Sequence, residues 1–276
     1  MTTDAKPQER IQAWIRDLLG LAVKHRLQEP ELTAALKFLG EVAERDEFQL
    51  LSDVLGLSVL VDRQTHPESE GATQTNVQGP FFRPGAPPLG VPAQVCGDEV
   101  EGEPLFVSGR VARAGGAAVS QASVEVWQAD PAGKYDVEYP DPAGHRLRGR
   151  LLADEEGRYS FRTVVPSPYE VPKQGAVGRL LRMLGRSAFR PAHLHFKFVA
   201  EGHEPLTTMV FFEGDPHLGH DAIDAVKGPL VKKLVRHGGE QEMRARGVNR
   251  PFATLRFDVA LRPAGRPAAR DAWAAR

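Results

Sequence analysis

Cysteine is almost missing from this sequence: Cys96 stands alone among 276 residues. No internal disulfide can form, and no cysteine-based metal site can be assembled from one thiol. Beside Gly97, that thiol reads as a small packed hydrophobe rather than a nucleophile. An excess of charge is missing too. With 35 Lys and Arg against 36 Asp and Glu, the formal net charge is -1, which gives no global electrostatic case for nucleic acid or a membrane surface. No unbroken apolar run is long enough to cross a bilayer. The stretch from Met1 to Arg10 is polar and lacks the apolar core of a secretory leader, so the expectation is a soluble cytoplasmic protein. Tyrosine is scarce, at four residues, which makes the position of each one informative.

What is present suits a globular chain able to bury a full core, with 41% hydrophobic and 26% charged residues. Two textures meet near residue 65. Before it, apolar residues recur at helical spacing in three stripes: Ile11, Trp14, Ile15, Leu18 and Leu19; Leu32, Ala35, Leu36, Leu39 and Val42; Phe48, Leu51, Val54, Leu55 and Leu60. Glu29-Pro30 sits where a helix should begin. Three such helices are too few for a comfortable core of their own, so they cap the main domain or form a dimer interface.

After residue 65 comes a Gly/Pro-rich stretch from Gly71 to Pro92, then short alternating strands. These are Leu105 to Val111, Ala122 to Trp127, Arg158 to Val164, His193 to Val199, Thr207 to Phe212 and Phe252 to Val259. The pattern predicts a mainly β protein, an antiparallel β-sandwich with an N-terminal helical module. Leu180 to Leu184 and the run Pro229 to Arg236 read as short inserted helices. The expected organisation is a helical module over 1–64, a β domain over 65–261, and a tail over 262–276. Rich in Ala, Arg and Pro, that tail is expected to be disordered.

The strongest local signal is Arg190-Pro191-Ala192-His193-Leu194-His195-Phe196. Side chains two apart on a strand share a face, so His193 and His195 project together while Phe196 and Phe198 point the other way. Paired imidazoles are half of a metal site, although His-x-His also arises as two surface histidines. Tyr135 follows the turn Asp130-Pro131-Ala132-Gly133, and Tyr159 opens a strand after Glu156-Gly157-Arg158. A free phenol has a pKa of about 10, but an adjacent trivalent cation holds it as phenolate. Such a hard anionic oxygen suits oxidised iron. Either tyrosine could equally be a core residue with its hydroxyl bonded to backbone.

Val124 to Asp130, Tyr135-Asp136, Gly157 to Thr163 and Arg190 to Phe196 together resemble the intradiol ring-cleavage dioxygenases. Asn76-Val77-Gln78-Gly79-Pro80-Phe81-Phe82 is similar to that family's loop at the substrate pocket, and the N-terminal helices to the dimerisation segment of its catechol and hydroxyquinol branch. The resemblance implies Fe(3+) held by Tyr135, Tyr159, His193 and His195, with Tyr159 as the displaceable ligand that takes a substrate proton. Arg190 would match the family's active-site arginine, stabilising developing negative charge. It further implies an aromatic diol and O2 as substrates, a homodimer, and an apolar cleft of lipid size between the helices. Val77, Pro80 and Val107 are expected to wall the pocket. Met209, in Thr207-Thr208-Met209, stands where many catechol enzymes have Gln, and is expected as a further hydrophobic wall.

Tyr135 to Val137, Leu147 to Arg150 and Pro166 to Pro172 resemble the hydroxyquinol branch slightly more than the catechol branch. Hydroxyquinol, opened to maleylacetate, is therefore narrowly favoured over catechol or substituted catechols. Val77, Pro80 and Phe81 offer no cation for a ring carboxylate; Arg83 could, if it turned inward. Two other readings stay open: a metal-free transthyretin-like binding module, and a zinc hydrolase using His193 and His195 with Glu213.

Overall fold

The computed structural model describes residues 7–96, 99–140 and 145–265. The three apolar stripes form four helices: α1 (Pro7–Lys24), α2 (Glu29–Glu44), α3 (Phe48–Val54) and α4 (Leu57–Thr65). Pro30 lies in the first turn of α2, where the Gln28 backbone N–H donates to Glu31 Oε2 at 2.8 Å. The third stripe breaks at Gly56, whose φ of +75° is left-handed, so Phe48 to Leu60 makes two helices rather than one. Helix α1 buries none of its residues, and Trp14, Ile15, Leu18 and Leu19 are each more than half exposed.

Among the described residues, twelve strands and two more α-helices follow. The strands are β1 (Pro104–Arg113), β2 (Ser123–Gln128), β3 (Arg148–Leu152), β4 (Arg158–Val164), β5 (Tyr169–Glu170), β6 (Phe189–Arg190), β7 (His193–Val199), β8 (Leu206–Phe212), β9 (Val231–Lys232), β10 (Val235–His237), β11 (Phe252–Arg256) and β12 (Val259–Leu261). Helix α5 (Ala176–Met183) lies between β5 and β6, and α6 (Glu240–Arg246) between β10 and β11. One sheet has the order β3-β2-β7-β8-β9. The other has β10-β11-β1-β12, with β4 on the free edge of β1, and β5 and β6 form a ribbon of their own.

The expected sandwich is present, and three of its pairings are parallel: β11 and β12 on β1, and β9 on β8. Phe252 to Val259, expected as one strand, splits because the Asp258 carboxylate accepts the Arg110 backbone N–H at 3.0 Å and interrupts the ladder. The Pro229 to Arg236 run, expected as a helix, is instead a 3-10 turn over Gly228–Leu230 followed by β9 and β10. Val231 and Val235 are drawn into ladders beside β8 and β11, where β-branched side chains pack well. The helix falls just downstream at α6, with Glu240 and Glu242 in its first turn, Arg244 and Arg246 in its last, and Gly247 ending it at φ +65°. The expected disordered tail begins with paired backbone: Arg262 O accepts Glu204 N at 3.0 Å, and Ala264 N donates to Gly202 O at 2.8 Å. The remainder of that tail, 266–276, lies outside the described residues.

Between the sheets, Leu105, Val107 and Val111 of β1 and Phe161 of β4 meet Val124, Val126, Phe196 and Phe198 of β2 and β7 in one buried cluster. Polar contacts join the helices to this domain. Glu47 Oε2 accepts the Val177 N–H at 3.0 Å, Arg186 Nη1 donates to Val54 O at 2.6 Å, and Lys227 Nζ reaches Asp62 Oδ2 at 2.9 Å and Thr75 O at 2.6 Å. Lys227 is 9% exposed, so its charge is paired as burial demands. Among the described residues no helix is long and apolar enough to cross a membrane.

Candidate active site

Strand β7 turns Phe196 and Phe198 toward the other sheet, and so turns His193 and His195 to the outer face of its own. His193 Nδ1 donates to Pro191 O at 2.7 Å, which leaves the Nε2 lone pair facing outward from the strand. That atom lies 3.2 Å from His195 Nε2 and 3.3 Å from the Tyr135 hydroxyl. The His195 ring stacks on Trp127 at 4.7 Å and 11°, and its Nδ1 is buried without a protein partner. Tyr135 arrives from a turn in which Asp130 Oδ1 accepts the backbone N–H groups of Ala132 and Lys134 at 2.8 and 3.0 Å. Phe81 stacks on the Tyr135 ring at 4.4 Å.

Tyr159 is not part of this cluster. Its ring lies between the sheets, 6.5 Å from that of Phe196 and 5.8 Å from that of Phe198, and its hydroxyl donates to Phe257 O at 2.5 Å. It sits directly across from Gly109; a Cβ there would fall 1.9 Å from Phe257 O and 2.7 Å from the Tyr159 hydroxyl, so only glycine leaves room. The expected ligand is thus a core tyrosine, and its place in the cluster is taken by Tyr169. Tyr169 pairs with Arg190 across the β5–β6 ribbon, and its ring is 5.5 Å from that of Tyr135 and 5.7 Å from that of His193. The sequence signal for it was Pro166 to Pro172, a proline-held extended segment ending in Tyr169-Glu170-Val171-Pro172.

Burial pushes both Tyr135 and Tyr169 up from the ordinary phenol value. Burial first, and then the Arg190 charge, hold His193 well below the usual imidazole range; burial, His193 and Arg190 do the same for His195. Burial would lower Arg190 as well, but Asp221, Tyr169 and Tyr135 together outweigh it and keep the guanidinium charged. Two neutral imidazoles therefore present lone pairs next to two phenols that would ionise only beside a cation. Spacings of 3.2 and 3.3 Å between these polar atoms match the edges of a coordination shell with metal–ligand bonds of about 2 Å. The unpartnered His195 Nδ1 is consistent with an Nε2 reserved for a ligand. Among the described residues no group of three or more His, Cys, Asp and Glu could hold a metal, and Glu213 is exposed. The zinc-hydrolase alternative therefore lacks its third ligand, and any metal must recruit the phenols, which favours hard, oxidised iron.

The other expected residues divide. Arg190 is buried, with Nη1 3.3 Å from His193 Nε2 and 3.5 Å from the Tyr169 hydroxyl. Met209 is fully buried, pairs with His195 across the β7–β8 ladder, and its Sδ lies 3.5 Å from Arg190 Nη2. Val77 is buried and Pro80 exposed on the loop over the site, where Gly79 lies so close that a Cβ would be 3.5 Å from His195 Cε1. Val107 does not reach the site. Paired with Phe161, it faces the interior between the sheets, because Leu105, Val107 and Phe161 share the face that buries. Arg83 does not turn inward as a free cation, since its Nη1 lies 3.2 Å from Asp136 Oδ2. Asp136 also takes Nε of the buried Arg148 at 2.7 Å, and Arg148 Nη2 donates to Phe81 O at 3.0 Å. This pair, which sequence reasoning missed, pins the loop beside Tyr135.

Fold and cluster define a helix-capped β-sandwich with two imidazoles, two phenols and a guanidinium converging on the outer face of one sheet. Residues 77–263 match the family model described as dioxygenase, and residues 4–73 that of the catechol dioxygenase N terminus. The hydroxyquinol 1,2-dioxygenase of Nocardioides simplex is 38% identical over 95% of this chain and 91% of its own. The 6-chlorohydroxyquinol 1,2-dioxygenase of Cupriavidus pinatubonensis is 42% identical over 85% of this chain and 87% of its own. The solved hydroxyquinol 1,2-dioxygenase of Pseudomonas putida DLL-E4 superposes with a TM-score of 0.85 at 35% identity, over 95% of this chain and 94% of its own. The chain belongs to the intradiol ring-cleavage dioxygenases, oxidoreductases that use non-haem iron.

Proposed function

We propose that this enzyme cleaves hydroxyquinol between its adjacent hydroxyls to give maleylacetate, using iron(III) held by Tyr135, Tyr169, His193 and His195. The observation that carries the reading is the convergence of those four side chains: His193 Nε2 lies 3.2 Å from His195 Nε2 and 3.3 Å from the Tyr135 hydroxyl, and the Tyr169 ring lies 5.5 Å from that of Tyr135 and 5.7 Å from that of His193. Relatives that act on hydroxyquinol or its 6-chloro derivative support this diol over catechol. Iron(III), when bound, supplies a cation that favours the deprotonated diol and makes its ring reactive toward O2.

The chain's own residues do the rest. Tyr169, one of the residues that would hold the iron, has its Oη 3.5 Å from Arg190 Nη1 and would be the group placed to take a substrate proton. The same guanidinium meets negative charge as it develops on the ring or on oxygen. His193 is fixed by Pro191 and His195 by Trp127, so neither imidazole reorganises during the reaction. Phe81 and Phe82 close the cluster from the loop side, against Tyr135 and Trp127 respectively, and keep bulk water from it.

We also propose that two chains associate through the exposed apolar faces of α1 and α2, that an apolar cleft there accepts a lipid chain, and that the enzyme works in the cytoplasm. The test of the catalytic reading is iron content, visible absorption and turnover on hydroxyquinol, catechol and protocatechuate. One iron per chain, a broad tyrosinate-to-iron band and fastest turnover of hydroxyquinol are expected. A colourless, iron-free protein that stays inactive when given iron overturns it.

A further inference from the structure

The Arg190 fork meets several acceptors, and the carboxylate bonded to it belongs to Asp221. Nε donates to Asp221 Oδ1 at 3.1 Å, while Nη2 has, among the described residues, the Met209 sulfur at 3.5 Å, a weak acceptor. Nη1 leans on His193 Nε2 and the Tyr169 hydroxyl. Under the ring-cleavage reading the single His193 Nε2 lone pair would be committed to the metal, and the Tyr169 oxygen, at 3.5 Å, is a long contact. The anchor that remains is Asp221.

Asp221 is locked in its turn. Its side chain is 2% exposed, Oδ2 accepts the Ala225 N–H at 3.0 Å, and Oδ1 accepts that of Ile223 at 3.5 Å. The turn so closed delivers the Ala225 carbonyl to Asn76 Nδ2 at 2.8 Å. Asn76, itself 2% exposed, accepts the Val77 N–H at Oδ1 at 2.9 Å, and its own N–H donates to Thr207 O at 2.8 Å. A continuous buried line thus runs from Arg190 through Asp221, Ala225 and Asn76 to Val77. It ends at the loop whose Gly79 and Phe81 lie against His195 and Tyr135.

We infer that Asp221 is a positioning residue that fixes the Arg190 guanidinium and the pocket loop relative to one another, so that charge stabilisation and substrate fit depend on one carboxylate. The inference rests on the ring-cleavage reading of the site. Buried charge pairs hold their geometry because an unpaired partner is costly, and displacement of a catalytic group by about 1 Å costs on the order of 100-fold in rate.

Asp221→Asn keeps the size of the side chain but can accept from only one of Arg190 Nε and Ala225 N. In the iron-loaded enzyme it is expected to retain the iron content and visible band of the parent, lower kcat on hydroxyquinol by about 10- to 100-fold, and raise KM several-fold. In an Arg190→Ala background the same change should alter kcat by less than about 2-fold, since a residue acting through Arg190 has nothing left to position. Asn76→Ala, which leaves Asp221 in place, is expected to raise KM with kcat nearly unchanged, and it keeps the idea testable should Asp221→Asn fail to fold. Parental kcat and KM in Asp221→Asn, or a loss of kcat just as large without Arg190, overturns the inference while leaving the ring-cleavage reading intact. A parent enzyme without a tyrosinate band or ring cleavage overturns that reading, and the inference with it.

Discussion

Tyr169 and Arg190 stand opposite one another in the two-residue ladder of β5 and β6, with Arg190 Nη1 3.5 Å from the phenol oxygen. That pairing gives Tyr169 a fixed positive charge beside it. Tyr159 has none: burial pushes its phenol up, the charge that acts on it is the Asp258 carboxylate, which raises it further, and its proton is given to Phe257 O.

The two tyrosines should therefore respond differently to the same change. Tyr169→Phe is expected to shift or weaken the visible band and lower kcat at least 100-fold. Tyr159→Phe should keep the colour and nearly all the activity, and cost about 1–2 kcal/mol of stability for the bond lost to Phe257 O. Absorption spectra, steady-state rates and thermal melts of both variants decide the matter. Loss of the band in Tyr159→Phe alone would return that residue to the metal.

Protocatechuate is expected to be a poor substrate. Arg83, the cation nearest the pocket loop in sequence, is engaged with Asp136, and a buried ring carboxylate left unpaired is costly. A third hydroxyl needs only one hydrogen-bond partner or a water. Steady-state rates on hydroxyquinol and protocatechuate test this, and equal turnover of the two shows that the argument from Arg83 fails.

Asp53 of α3 makes stability depend on pH. The residue is 2% exposed, and burial pushes its carboxyl above the ordinary 3.8, against the lowering by hydrogen bonds from Ser58 and Gln49 and by the Arg190 charge. The folded state thus binds this proton more tightly than the unfolded chain. Its contribution is fully present below 3.8 and is lost as pH rises through the raised value. Asp53→Asn, neutral throughout, should melt above the parent at pH 7, with the gap closing as the pH is lowered toward 3.8. Calorimetry at both ends of that range checks the sign, and a variant that melts lower at pH 7 contradicts it.

The association proposed for the helices is open to a direct test. Leu18 and Leu36 are 66% and 61% exposed in the single chain, where a pairing face would bury them. Leu18→Asp with Leu36→Asp is expected to halve the mass seen by light scattering and to leave the iron band in place. An unchanged dimer mass places the interface elsewhere.

Much of this was legible in the sequence. Period-2 alternation gave β1, β2, β4, β7 and β8, and helical spacing gave α1 and α2, because one buried face imposes its period on the chain. Tyr169 was hidden because a two-residue strand between prolines has no period to read. What brings it to the site is pairing with Arg190, a contact 21 residues away in sequence. Tyr159 and Val107 were misplaced for a single reason. Alternation says which residues share a face, and not whether that face looks into the sandwich or out of it; Gly109, opposite Tyr159, settles it for both.

Strand β7 is a wall common to two rooms. Its odd-numbered His193 and His195 furnish one side, and its even-numbered Phe196 and Phe198 the other. A slip of one residue in its pairing with β2 or β8 would exchange them, driving imidazoles into hydrocarbon and phenyl rings into the polar cluster. No partly correct arrangement offers a working site on a faulty core or the reverse. The closed sandwich and the paired imidazoles therefore depend on one and the same strand register.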